Sequence, residues 1–222
     1  MKRRSSDKAV SVAAVQPGQK YTTDPNEVPA QITTPAVRDV VSALLAHWAG
    51  LTEQGARTIT AQFASETGWG AHCFNWNLGN MKSHDPTQLY AYRRDVWECR
   101  TQSQANSDVA NGAGNVHIAT AGEIQQHKWK CPDVVVVFEP PHVGCRFRAF
   151  ASLQDGAQGL VDKHKKIAAS SANYFAALNA GDVAGVAHAL KIVGYYTASE
   201  ADYARTMGKV KNKIDSDLGP AH

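Results

Sequence analysis

Residues 63 to 83, "FASETGWGAHCFNWNLGNMKS", place one carboxylate, Glu66, among two tryptophans, three glycines and three asparagines, with no second acid before Asp85. A lone acid can transfer a proton only if its pKa is lifted toward neutrality, and loss of surrounding water does that. The spacing supplies the condition. Ile59, Phe63 and Glu66 fall at i, i+4 and i+7, so the carboxylate shares the apolar face of a helix that "GWG" then ends. Trp69 and Trp76 offer flat apolar surface, and Asn75, Asn77 and Asn80 offer amide donors and acceptors, the side chains that grip sugar faces and hydroxyls. The alternatives are plain: Glu66 caps a turn or pairs with an arginine, and the tryptophans are core.

The elements that must position these residues are mostly helical. Val37, Val40, Val41, Leu44, Leu45 and Trp48 form one stripe, with Gly50 as its stop, and Thr52 is placed to cap the helix that carries Glu66. Further on, Leu153, Ala157, Leu160, Val161, His164 and Ile167 make one helical face. Val183, Val186, Ala187, Leu190 and Val193 make another behind Asp182, and Tyr203, Met207, Val210 and Ile214 a third behind Ser199 and Asp202. His164 and His188 read as core or rim histidines. Between the halves, residues 83 to 146 turn to short β-branched runs and Asn/Gly/Ser loops, which predicts a small antiparallel sheet. "QSQANSDVANGAGN", 102 to 115, reads as an exposed hairpin or insertion. The fold class expected is α+β, mainly α.

The chain of 222 residues, 43% hydrophobic and 19% charged, suffices for one domain, and a net charge of +3 is far from the clustered basic stripe of a nucleic-acid binder. The longest apolar run, "VVVVF" at 134 to 138, is too short to cross a bilayer. Residues 1 to 34 lack periodicity and read as a flexible leader without a cleavable signal, followed by a domain over 35 to 218. Cys73, Cys99, Cys131 and Cys145 allow three complete pairings, free thiols, or a zinc site with His142.

"AQFASETGWG" and "NWNLGNMK" together resemble the opening motif of glycoside hydrolase family 73, the bacterial glucosaminidases that cut peptidoglycan. The order of motifs continues, since "CRFRAFASLQDGAQGLVDKHKK" and "VGYYTASEADYARTM" are similar to that family's later segments, over roughly residues 36 to 214. Gly79 and Asn80 stand where the family usually has Phe and Gly. The resemblance implies a lysozyme-like helical domain with a β-lobe at about 83 to 146, Glu66 as general acid, and Tyr195 as the motif tyrosine near it. It also implies a second carboxylate before the "FR" motif. Of Asp85, Asp95, Glu98, Glu123, Asp133 and Glu139, the last fits that place best, with Glu98 in reserve.

The expectation is therefore a peptidoglycan hydrolase of the endo-β-N-acetylglucosaminidase type, with Glu66, Glu139 and Tyr195 catalytic and Trp69, Trp76, Asn77 and Asn80 holding the glycan. No cofactor or metal, nucleic acid or membrane insertion is expected, and the state expected is a monomer. A muramidase or lytic transglycosylase on the same fold, and a non-catalytic wall-binding module, are the alternatives. A phage enzyme or a secreted effector acting on the wall or in the periplasm would suit the leader, and an effector would imply an immunity or inhibitor protein.

Overall fold

The computed structural model describes residues 27–83, 91–128, 130–196 and 199–221. Its helical part is built around α2 (Glu53–Thr67), which packs against α1 (Val37–His47), α6 (Tyr174–Ala180) and α8 (Glu200–Leu218). Helix α5 (Leu153–Ser170) lies on α1, and α7 (Val183–Ile192) on α6 and α8.

Helix α2 is buried on nearly every side from Gly55 to Ala64, although few of its residues are large and apolar. Small residues let neighbours approach, and the hydroxyls of Thr58, Thr60, Ser65 and Thr67 donate back to carbonyls one turn earlier at 2.7–2.8 Å. These four hydroxyls of α2 are thus each satisfied within the helix. Thr52 accepts from the Gly55 amide at 3.0 Å, and Gly68 closes the helix in the left-handed conformation. Arg57, 2% exposed, donates to Glu53, Asp215 and the Gly219 carbonyl, pinning the start of α2 to the end of α8.

Two antiparallel sheets form the lobe. One pairs β1 (Ala91–Arg93) with β5 (Arg146–Arg148); the other has the order β2 (Val96–Arg100), β4 (Val134–Phe138), β3 (Val116–Ile118). The valine run is the central strand β4, and its alternation feeds two cores. Val136 and Phe138 pack with Ala105, Val116 and Cys145, whereas Val135 and Val137 pack with Ala119, Trp97 and Ile124. Helices α3 (Gln102–Asn111) and α4 (Ala121–His127) supply Ala105 and Ile124 to these two clusters. A strand apolar throughout is what a strand covered on both faces requires.

Three expectations change. Residues 102 to 111 form a helix and not a hairpin, fixed by a capping box between Thr101 and Gln104. The helix-bound unit reaches back to residue 27: Val28 donates to the Ala91 carbonyl at 2.6 Å, Thr33 to that of Cys73 at 2.8 Å, and Asn75 to that of Gln31 at 2.8 Å. Glu27, 5% exposed, pairs with Arg93 at 2.7 Å and Arg146 at 3.2 Å. The part of the expected leader before residue 27 lies outside the described residues, as does Asp85. Finally, Cys99 and Cys131 form a disulfide, so Cys131 is unable to ligate zinc with His142, and Cys73 and Cys145 are separate buried thiols. Burial pushes the Cys145 thiol up to about 11, which leaves it protonated and unreactive at neutral pH.

Candidate active site

Glu66 sits on the last turn of α2, open to solvent on one side and surrounded by protein on the others. The loss of water there raises its pKa above the ordinary carboxylate value, against the pull of two groups. The Tyr203 hydroxyl donates to Oε1 at 3.2 Å, and the Lys163 ammonium acts through its charge.

Lys163, on α5, donates to the Gly79 carbonyl and to the Tyr195 hydroxyl, each at 3.1 Å, and lies 4.4 Å from the centre of the Tyr195 ring. Burial brings it down to about 8, with Glu66 holding it up. Burial also raises the phenols of Tyr195 and Tyr203, and the charge of Glu66 adds to both shifts, so both remain hydroxyl donors. Tyr203 is held flat against Tyr196, centroids 3.9 Å apart. Gln62, one turn before Glu66 and 3% exposed, neighbours the Tyr203 hydroxyl, yet neither of its amide atoms makes a well-aligned hydrogen bond.

The segment after the helix is strained. Trp69, Asn75, Trp76 and Asn80 all hold positive φ, between 46° and 59°. Non-glycine residues adopt that region at a cost, and such strain gathers at sites that must present side chains in set directions. Trp69 projects outward, 38% exposed, with Lys213 Nζ 5.8 Å from its ring centre. Trp76 is half-buried, its amide donating to Thr33 Oγ1 at 2.9 Å. The Asn80 side chain donates to the Glu66 backbone carbonyl at 3.3 Å, and its own oxygen is buried without a partner.

Asn77 differs from the role expected for it. It is 0% exposed, and its amide spans the Met81 backbone and the Arg148 carbonyl at 2.8–3.0 Å, so it braces the loop and does not face a sugar. Glu139 lies at the end of β4, half-buried, its amide donating to the Asn115 carbonyl at 2.8 Å and its carboxylate 3.8 Å from His117 Nδ1. Its named contacts belong to the lobe, whereas those of Tyr195 belong to the Glu66 cluster. Glu98 pairs with Arg100 at 3.3 Å. Glu123 caps α4 and is drawn down to about 2, first by its hydrogen bonds with Thr120. Asp95 and Asp133 are exposed.

No family model, curated protein or solved structure matches the chain. Lys163 and Tyr203 were not singled out from the sequence; the clue for Lys163 is its place between Leu160 and Ile167, at the edge of the stripe. His164 is the satisfied core histidine expected: 1% exposed, bonded to the Tyr174 hydroxyl and held down to about 3, first by burial. A separate groove of about 520 Å³ between α6 and α7 is lined by Asn173, Asp182, His188 and Ile192, none of them part of the Glu66 cluster.

Tyr203 and Lys163 both favour the ionised form of Glu66, so removing either should raise its pKa further. An acid stays protonated up to its pKa. Tyr203→Phe and Lys163→Met are thus each expected to move the alkaline limb of the pH–rate profile to higher pH. Profiles with unmoved limbs would refute this coupling.

Proposed function

We propose that this chain cleaves a β-1,4 glycosidic bond of the peptidoglycan glycan strand, with Glu66 as the general acid. The observation that carries the reading is the Glu66 carboxyl, raised by burial yet open to solvent on one side, at the end of a helix beside an exposed tryptophan. With Tyr203 donating to Oε1, the transferable proton belongs on Oε2. It passes to the glycosidic oxygen as the bond to the anomeric carbon breaks, and the carboxylate left behind is stabilised by the Tyr203 hydroxyl and the Lys163 ammonium. Trp69 and Asn80 border the place where the sugar would lie, and Tyr195 is ordered against Lys163. Glu139 is the lobe's candidate for the base that activates water.

A second reading has its own support. Among the described residues, the groups that act on Glu66 are a phenol and an ammonium, with no carboxylate among them. A single-acid route, in which the carboxylate takes the proton back from an attacking sugar hydroxyl, needs no more than that and gives an anhydro-muramic product. Mass spectrometry of digested wall separates the two: a reducing sugar is expected for hydrolysis, the anhydro sugar for the transglycosylase. Binding without soluble fragments would defeat both and leave a wall-binding module. The disulfide between Cys99 and Cys131 suits action in an oxidising compartment, such as the periplasm or cell exterior, to which a phage or secreted effector would be delivered. An effector would call for a cognate inhibitor in the producing cell.

A further inference from the structure

Lys82 and Arg94 both lie over the Phe147 ring. Lys82 bridges to Phe147, Phe147 pairs with Tyr92, and Arg94 lies two residues beyond Tyr92, so all four side chains share one face of the small sheet. Lys82 Nζ is 4.0 Å from the Phe147 ring centre; Arg94 Cζ is 5.0 Å from that centre and 5.1 Å from that of Phe74. Both cations are half-buried, and Arg94 Nε is buried without a hydrogen-bond partner. Among the described residues, the acid acting on Lys82 is Glu98, itself paired with Arg100, and Arg94 has no ion pair to an acid. Lys82 also donates to the Gly144 carbonyl, which supplies no charge.

Arg94 acts on the Lys82 ammonium as a like charge, and an anion bound by both would relieve the repulsion. Burial lowers the Lys82 ammonium, and Arg94 lowers it further against the pull of Glu98. Lys82 follows Asn80, which donates to the Glu66 backbone carbonyl, by two residues, a backbone span of at most about 7 Å.

We propose that Lys82 and Arg94 form a carboxylate-binding subsite beside the Glu66 cleft. This rests on the peptidoglycan reading, and it names the part of the substrate held there: the carboxylate that distinguishes the muramoyl half of the strand from neutral amino sugars. A planar guanidinium fork matches a carboxylate, and the ammonium adds a point charge. That carboxylate has two sources, the lactyl ether of a bare muramoyl sugar or the stem peptide attached to it.

The test uses the whole chain. Lys82→Met and Arg94→Met keep length and apolar contact with Phe147 while removing charge. Kinetics are measured on intact peptidoglycan, on peptide-stripped glycan strands and on chitohexaose, which has no carboxylate. Each variant is expected to lower kcat/KM on the carboxylated substrates about tenfold more than on chitohexaose, as for a lost charged hydrogen bond. Loss on stripped strands assigns the lactyl group, and loss on intact wall alone assigns the stem peptide. In parallel, the Arg94 Nε–H resonance of the wild type is followed during titration with N-acetylmuramic acid and with N-acetylglucosamine. A shift with the acid alone, absent in Lys82→Met, supports the subsite. Equal response to both sugars, or equal losses on all three substrates, overturns it. Should the wild type cleave nothing, the proposed function fails while the titration still decides the subsite.

Discussion

Glu66→Gln is expected to slow the release of wall fragments by about 10²- to 10⁴-fold, the usual contribution of a positioned general acid. Glutamine keeps the shape, and its amide oxygen still accepts from the Tyr203 hydroxyl, so the surroundings persist. What disappears is the proton that moves. The same substitution should not harm the fold. A carboxyl whose folded pKa lies above its unfolded value makes ionisation unfavourable to the folded state, so stability is fullest below the unfolded value and falls as pH rises through the folded one. The glutamine variant avoids that loss, and its melting temperature at neutral pH should equal or exceed that of the wild type. Activity above about a tenth of wild type in a normally folded variant would remove Glu66 from the chemistry.

Gly156→Ala should cost about 3 kcal/mol, at the upper end for overpacking, because the atom in the way is backbone. A Cβ on Gly156, in the first turn of α5, would lie 2.0 Å from the carbonyl oxygen of Trp76 and 3.1 Å from its carbonyl carbon. Trp76 is held by Thr33 and already sits at positive φ, so it has little room to retreat. The helix must move, and Lys163 two turns on would leave the Gly79 carbonyl and Tyr195, so activity should fall with stability. Gly122→Ala in α4 is the control, since the nearest atom to its Cβ is Thr120 Oγ1 at 4.0 Å. Chemical denaturation of both variants decides the matter. A loss below about 1 kcal/mol at Gly156 would mean that the contact yields.

The helices legible in the sequence are those whose apolar stripes face the main core: α1, α2, α5, α7 and α8, four of them with a side-chain cap at Thr52, Ser152, Asp182 or Ser199. Helix α3 escaped because "QSQANSDVAN" buries Ala105 alone, so it has no stripe to read; the capping box at Thr101 was its one signal. Glu66 and Trp69 were legible because helix end, acid and turn are contiguous. Lys163 and Tyr203 were not, because α5 and α8 return to α2 from far along the chain, Tyr203 from 137 residues away. Asn77 shows a different limit. An amide in a strained loop serves equally to hold sugar or to hold backbone, and only its 0% exposure tells which.

The stretch from Glu27 to Thr33 bonds to the lobe at Ala91 and to the turn after α2 at Cys73 and Asn75. Because it is fastened on both sides, drawing the lobe away from the end of α2 would mean stripping these amides from their partners and drawing Glu27 from between two arginines. Relative motion of lobe and helix end is thereby converted from a hinge motion into local unfolding, a rarer and slower event.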